Sequence, residues 1–198
     1  MPKGNIASWV RLASLAAGAA MLVGCAQYGP PSNVEHACAI VAERADWGRA
    51  LQRSHLKWGA PPWVQLAIIR QESSFRHDAA PPATYFLGII PTGRASSAYG
   101  YSQAIDGTWD WYRKETGSPR ASREDFEDSA DFVGWYMAKS RASNGIAMND
   151  AYNQYLAYHE GHAGWSRGSF RSKAWLVGVA KKVARNAEIY RLQMDRCR

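Results

Sequence analysis

The segment from residue 62 to residue 74 carries apolar side chains on nearly every side of a helix. The side chains are those of Trp63, Val64, Leu66, Ala67, Ile68 and Ile69. A helix that is apolar all round is stable only when other elements surround it. The sequence therefore predicts a buried central helix, begun by Pro61 and Pro62, and a domain built around it.

Five further segments have the apolar spacing and end signals of helices. They run from a capping box at Ser32 to about residue 57, and over about 106–117, 122–142, 149–161 and 172–194. Residues 78–99 break this pattern with three prolines and two glycines, which predicts a long loop with room for a small hairpin. Six helices and one long loop predict a mainly α fold.

The first 24 residues have the features of an export signal peptide. Lys3 and Arg11 give it a positive start, and the longest apolar stretch of the chain then runs from Leu12 to Gly24. That stretch is shorter than the ~20 residues needed to span a bilayer, so we do not expect an integral membrane protein. The 198-residue length suits one domain after the signal.

The signal ends in Leu-Val-Gly-Cys, which resembles the lipobox of bacterial lipoproteins. The resemblance implies that the cysteine, Cys25, receives a diacylglycerol and becomes the new N-terminus. A short tether over 25–33 would then join it to a domain over 34–198. Because Ala26 is not an aspartate, the resemblance also implies, for a Gram-negative cell, the inner face of the outer membrane, facing the periplasm. An ordinary secretory signal with a chance cysteine is the alternative.

The formal net charge of +7 includes Lys3 and Arg11 of the signal, so the mature chain is only mildly basic. Such a balance suits an anionic membrane surface, a polyanionic cell wall or nucleic acid equally well. An exported protein seldom meets nucleic acid. We therefore expect no nucleic-acid partner, and the sequence names no protein partner.

Two cysteines, Cys38 and Cys197, remain once Cys25 is assigned to lipid. In an oxidising compartment two remaining cysteines usually pair. A bridge between them would close almost the whole domain into one loop, for which chain entropy predicts ~5 kcal/mol of stabilisation. Two buried free thiols are the alternative.

Glu72 lies on an apolar face of the central helix, at helical spacing from Val64 and Ile68. Burial of a carboxyl group disfavours its charged form and raises its pKa. A proton donor that works near neutral pH needs such a pKa. The alternative is a solvated carboxylate at a helix end.

Three short blocks follow one another along the chain: Gln-Glu-Ser-Ser-Phe over 71–75, Ala-Tyr-Gly-Tyr-Ser-Gln over 98–103 and Leu-Ala-Tyr-His-Glu-Gly over 156–161. In this order they resemble the three signature blocks of the lytic transglycosylases with a lysozyme-like fold. The resemblance covers about 60–175. It implies a lysozyme-like helical domain of the goose-type or SLT kind, with a long loop on the substrate side.

The resemblance also implies roles for residues in these blocks. Glu72 matches the catalytic acid, and Ser73 matches the serine beside it. Gly100 and Gln103 match the second block at the cleft. Tyr158 matches a tyrosine whose hydroxyl would lie near the acid. We therefore expect Glu72 to be catalytic and the other residues to serve substrate binding.

The implied reaction cleaves the β-1,4 bond between N-acetylmuramic acid and N-acetylglucosamine in peptidoglycan. The acid would protonate the glycosidic oxygen and then, as a base, help the muramoyl C6 hydroxyl attack C1, which gives a 1,6-anhydro product. Most glycosidases need two carboxylates, but a substrate can replace the second with its own N-acetyl oxygen. One carboxylate, Glu72, is therefore sufficient.

The long loop and the third block depart from the family pattern. Within the loop, Ser96 or Ser97 would stand near a family serine that contacts substrate, and Ser97 is the position we assign. Tyr85, Phe86 and Arg94 either line the cleft or belong to a self-packed surface loop.

The third block has His159, Glu160 and Gly161 where the family usually has Asn-Ala-Gly. Glu160 is thus an uncertain second carboxylate. If it faced the bond and positioned water, the enzyme would be a hydrolytic muramidase. A non-catalytic peptidoglycan-binding lipoprotein is the other alternative.

Neither a metal nor a cofactor is predicted. The run from His159 to His162 differs from the zinc motif His-Glu-x-x-His because its second histidine comes one residue early and Gly161 interrupts the helix. Trp109, Trp111 and Trp165 are candidate sugar platforms, although aromatic side chains more often form core.

Overall fold

Helix α3 (Pro62–Ser73) lies at the centre of the fold. Pro61 precedes it in an extended conformation, and seven of its 12 residues are buried, as the apolar pattern predicted. The buried Nε2 of Gln65 donates hydrogen bonds to the carbonyls of Leu51 and Ala60, so the donor side of this amide is satisfied inside the core. The helix therefore acts as the axis around which the other elements pack.

The computed structural model describes residues 29–87 and 89–197. The proposed signal peptide and Cys25 lie outside these residues. The described helices besides α3 are α1 (Ala37–Glu43), α2 (Ala45–Trp58), α4 (Asp106–Thr116), α5 (Phe126–Asn144), α6 (Ala151–Ser166), a 3-10 turn (Ser169–Ser172) and α7 (Ala174–Met194). Helix α5 packs on α2 and α6, and α7 packs on α3 and α6. The predicted mainly α fold is confirmed.

The start of the first helix differs from the prediction. Ser32 does not cap a helix, because its hydroxyl and its backbone N–H both donate to the Glu43 carboxylate. The helical segment begins at Ala37 and breaks at Arg44, which separates α1 from α2. The break allows α1 to pack against α7 while α2 packs against α5.

Helix α6 bends at Gly161, where the sequence predicted its end. Gly161 has φ 74° and ψ 157°, a backbone conformation that favours glycine, and the helix resumes beyond it to Ser166. The bend lies directly after His159 and Glu160, so it decides how the end of the third block faces the rest of the fold.

The long loop contains a β-hairpin, β1 (Ala83–Phe86) and β2 (Ile90–Arg94). The strands are antiparallel and pair Ala83 with Arg94, and the register shifts after Thr84. The hydroxyl of Thr92 donates to that of Thr84 across the pair, at 3.0 Å. The hairpin is thus a small element inserted between α3 and α4.

Both ends of the described chain are joined. Cys38 of α1 forms a disulfide with Cys197, with the Cα atoms 6.0 Å apart. Nearby, the backbone N–H of Ala37 donates to the side chain of Gln193 at 2.8 Å. The bridge and this hydrogen bond fasten α1 to the end of α7.

None of the helices in residues 29–87 and 89–197 is long and apolar enough to cross a membrane.

Candidate active site

A pocket of about 460 Å³ opens where α3, α5, α6 and the loop before α4 meet. Its lining combines one carboxyl group from the central helix with polar and aromatic side chains from the other elements. The lining residues are Glu72, Ser96, Ala98, Gln103, Ala104, Ile105, Thr108, Phe132, Tyr136, Tyr158, His159, Glu160 and Gly161. The pocket therefore brings together residues from all three sequence blocks.

Glu72 is the last residue but one of α3, and its side chain reaches the pocket. The helix stops abruptly because Ser74 and Phe75 both have positive φ values, 52° and 62°. This conformation is strained for residues other than glycine. The fully buried Phe75 side chain holds it in place. The strained turn therefore fixes where the carboxyl group of Glu72 lies.

Burial raises the pKa of Glu72 to about 7, and a hydrogen bond from Tyr155 opposes this rise. A carboxyl group with this pKa is protonated in a large fraction of molecules near neutral pH. It is able to give a proton and later take one back. This property is what general acid–base catalysis requires.

Tyr155 is the tyrosine that hydrogen-bonds to Glu72, and the sequence analysis did not identify it. Its ring is buried, and burial together with the Glu72 charge raises the pKa of its phenol, so the hydroxyl remains a proton donor. Tyr155 precedes Tyr158 by three residues, which places both on one face of α6. That spacing was the available signal.

Tyr158 lines the pocket but uses its hydroxyl elsewhere. The hydroxyl donates to the Ser102 carbonyl at 2.6 Å, and burial and the nearby Glu72 charge raise its pKa. The ring packs edge-on against Tyr136, 5.2 Å between centroids. Tyr158 therefore ties α6 to the loop of the second block and borders the acid without bonding to it.

Gln103 also lines the pocket, and its amide group holds the loop in shape. Its Nε2 donates to the carbonyls of Ala79 and Gly100, at 2.7 and 2.9 Å. The residue itself has φ 51°. These two bonds fix the loop wall that faces Glu72.

The sequence matches the family described as Transglycosylase SLT domain over residues 13–197. The chain belongs to the transglycosylase SLT domain family. A search of curated proteins found no significant match. At the family level, an SLT domain indicates lytic transglycosylase-type activity and binding of peptidoglycan. The mainly helical fold described above is consistent with this family.

Two residues of this SLT domain that we expected at the substrate lie elsewhere. Ser73 is buried, and its hydroxyl donates to the Ile69 carbonyl, because one helical step turns it away from the face of Glu72. Ser97 accepts a hydrogen bond from the backbone N–H of Asp106 at the start of α4. Its neighbour Ser96 is the serine that lines the pocket.

Gly100 is likewise not part of the pocket wall. Gly100 has φ 72° and packs closely against the turn before α5, so that an added Cβ would lie 2.0 Å from the Arg123 carbonyl oxygen. Glycine at this position therefore permits close backbone packing within the SLT domain, and a long-range contact of this kind leaves no trace in the local sequence.

Arg123 is a second residue that the sequence analysis missed. Its guanidinium donates to the carbonyls of Ser97 and Ala104 and forms an ion pair with Asp106, each within 3 Å. The backbone N–H of Tyr101 donates in turn to the Arg123 carbonyl. Arg123 thus supports the loop that carries Gln103.

Glu160 lines the same pocket as Glu72, and three other groups hold its carboxylate. Lys173 lies 2.7 Å away and Ser169 donates a short hydrogen bond, while His159 contacts the same carboxylate at 3.2 Å. The Lys173 and Ser169 bonds lower the pKa of Glu160 to about 2. Glu160 is therefore ionised and joins α6 to α7 beside the bend at Gly161.

The remaining candidates lie away from the pocket wall. Trp109 is buried, Trp165 donates to Asn153, and Trp111 packs edge-on against Trp135. Arg94 is exposed and donates to the Pro81 carbonyl. The side chains of Tyr85 and Phe86 lie outside the described part of the structure.

Within residues 29–87 and 89–197, no group of three or more histidine, cysteine or acidic side chains is placed to hold a metal ion. His162 instead stacks on Tyr136, with 4.4 Å between ring centroids, and contacts the Ser140 hydroxyl.

Proposed function

We propose that this SLT domain is a peptidoglycan lytic transglycosylase in which Glu72 is the single acid and base. The observation that supports this most directly is the placement of a carboxyl group with a pKa of about 7 in the pocket where the three blocks meet. The substrate is the β-1,4 bond between N-acetylmuramic acid and N-acetylglucosamine.

In the proposed reaction, protonated Glu72 gives its proton to the glycosidic oxygen as the bond from that oxygen to C1 breaks. The N-acetyl oxygen of the muramoyl residue stabilises the positive charge that develops at C1. The ionised Glu72 then takes the proton of the C6 hydroxyl, and the C6 oxygen bonds to C1. The product is a 1,6-anhydromuramoyl end, Glu72 regains its proton, and no water is consumed.

The pocket supports both halves of this cycle. Tyr155 donates to the Glu72 carboxyl group, so it orients the group and stabilises its ionised form between the two proton transfers. Gln103, Tyr158 and Ser96 lie on the lining and are our proposed substrate contacts.

A hydrolytic muramidase is the second candidate, because Glu160 lines the same pocket. Hydrolysis needs a carboxylate that takes a proton from water. With its pKa lowered to about 2 by Lys173 and Ser169, Glu160 is a weak base, and its oxygens already accept hydrogen bonds. These contacts favour the transglycosylase.

We also propose that Cys25 carries lipid and anchors the domain at the inner face of the outer membrane, facing the periplasm. The support is the lipobox-like sequence that ends at Cys25 and the short distance in sequence from there to Gly29. Only a few residues would then separate the anchor from the folded domain.

Mass spectrometry of muropeptides tests the proposal. Purified sacculi are digested with the mature protein, with Glu72→Gln as control. Products that end in 1,6-anhydromuramic acid, absent with the variant, would support the transglycosylase. Reducing ends would indicate the muramidase, and a folded protein that binds sacculi but releases nothing would indicate a binding module.

A further inference from the structure

The tip of the β-hairpin exposes two large apolar side chains. Leu87 is 76% exposed and Ile89 is 77% exposed, at the turn between β1 and β2. The two side chains make the tip apolar, and exposed apolar patches mark contact sites for partners or membranes when they are large enough. Neither residue lines the pocket of Glu72.

The charge pattern around this tip narrows the choice of partner. Between Asp78 and Asp106 the sequence contains no acidic residue, and its one charged side chain is the exposed Arg94 at the end of β2. An uncharged apolar tip with a basic residue behind it suits a lipid surface, where the tip enters the acyl boundary and the arginine meets anionic headgroups. Leu87 and Ile89 offer a glycan neither hydrogen bonds nor flat rings for stacking.

The hairpin base and the start of the described chain are joined by a series of contacts. Arg44 donates to the Gly29 carbonyl and lies over the Trp47 ring. Trp47 packs edge-on against Tyr101. The residue before Tyr101 donates its backbone N–H to the carbonyl of Ala79, just before the hairpin. These contacts connect the segment at Gly29 to the base of the hairpin through the core.

The tether from Cys25 to Gly29 is about as long as a strand of the hairpin. Gly29 is four residue steps beyond Cys25, and an extended chain of four steps reaches about 14 Å. A strand the length of β1 spans about 13 Å. A tether of this length keeps the domain surface close to the bilayer that holds the anchor.

We propose that Leu87 and Ile89 insert into the lipid bilayer that holds the anchor, as a second membrane contact that orients the domain. This inference rests on the proposed anchoring at Cys25 and is independent of the proposed catalysis. With two contacts the domain is held in one orientation at the membrane surface rather than swinging about a flexible tether.

The test uses the full chain, expressed and purified from membranes with its anchor and placed in vesicles of phosphatidylethanolamine and phosphatidylglycerol. Leu87→Cys carries an environment-sensitive nitrobenzoxadiazole probe. Leu56→Cys is the matched control, because Leu56 is 77% exposed on α2. The unsubstituted chain treated with the same reagent reports labelling at the native cysteines.

We expect blue-shifted emission and quenching by doxyl-labelled lipid at position 87 and water-like emission at position 56. Adding Ile89→Ser to the labelled chain should weaken insertion about tenfold, the effect of losing one buried aliphatic side chain. Adding Leu56→Ser should leave it unchanged.

Water-like emission at position 87 in vesicles would overturn the inference, as would a blue shift that appears only when sacculi or a second copy of the protein is added. Intact mass reports lipid on Cys25, and its absence would also overturn the inference, because the anchor brings the tip to the bilayer. Turnover of sacculi in detergent tests the catalytic proposal separately, and Leu87→Cys should leave it unchanged.

Discussion

The Tyr155 hydroxyl donates a hydrogen bond to the carboxyl group of Glu72, whereas Tyr158, three residues later on the same helix, donates to a backbone carbonyl. The two tyrosines thus have separate tasks. Tyr155 lowers the pKa of Glu72, and Tyr158 holds the neighbouring loop through the Ser102 carbonyl. This division makes their effects experimentally separable.

Replacing Glu72 by Gln should remove nearly all turnover while the fold is kept. General acid–base catalysis typically contributes ~10²–10⁴-fold, and glutamine has a similar shape but no proton to transfer. Glu188→Gln is the matched control, since Glu188 is exposed and pairs with Arg191 on α7. Release of muropeptides measures the rate, and a variant that retains more than a few per cent of it would contradict the role of Glu72.

Protonation of Glu72 should make stability depend on pH. Because its pKa is raised to about 7 in the native state from 4.5, the native protein holds this proton more tightly than the unfolded chain. The stabilisation is complete below about pH 4.5 and is lost as the pH rises through about 7. The loss amounts to about 3 kcal/mol at ~1.4 kcal/mol per pKa unit.

Urea unfolding of the wild type and Glu72→Gln at pH 5 and pH 8 measures this effect. The variant should lack the stabilisation that comes from protonation of Glu72. The difference in unfolding free energy between the two proteins should therefore change with pH. A constant difference would show that Glu72 has the same pKa in both states.

Tyr155→Phe should lower the rate about tenfold, since an acid that is less well oriented reacts more slowly. It should also move the alkaline limit of activity to higher pH, because the lost hydrogen bond normally lowers the pKa of Glu72. Tyr152→Phe on the same helix is the control. A lower rate with an unmoved pH profile would mean that Tyr155 serves packing alone.

Glu160→Gln should destabilise the protein by about 1–3 kcal/mol, the usual cost of losing hydrogen bonds to a buried charged group. Its pKa is lowered to about 2, so this stabilisation is present above about pH 4.5 and is lost as the pH falls toward 2. The 1,6-anhydro products should persist. Loss of turnover in a variant that remains folded would instead support the muramidase.

Removal of the disulfide by Cys38→Ser with Cys197→Ser should lower the free energy of unfolding by about 5 kcal/mol, the chain-entropy value for so long a loop. Activity well below the melting temperature should persist, because the bridge lies at the junction of α1 with the end of α7. Calorimetry of the variant beside the reduced wild type checks this. Equal melting temperatures with and without the bridge would contradict it.

The central helix and Glu72 were predictable because both depend on local sequence: an apolar circumference and one carboxyl group upon it. The end of α2 was predictable for the same reason, since Gly59 takes the left-handed conformation there. The failure of Ser32 to cap a helix was not predictable, because its hydroxyl and its backbone N–H donate instead to Glu43, eleven residues later.

The parts of the site that escaped prediction depend on contacts between distant segments. Arg123 supports a loop about twenty residues earlier in the chain, and no local pattern indicates this. Ser96 rather than Ser97 reaches the pocket because Ser97 is engaged at the start of α4. Tyr155 lies just outside the family block, although helical spacing aligns it with Tyr158.

The close packing of Gly100 against the Arg123 carbonyl limits how this site can be re-engineered. A loop transplanted from residues 96–105 alone would lose the backbone that shapes it and the guanidinium that holds it. Any graft, chimera or natural recombination that keeps the pocket must therefore carry the turn before α5 along with the loop. The two segments form a single module for inheritance and design, although some twenty residues separate them.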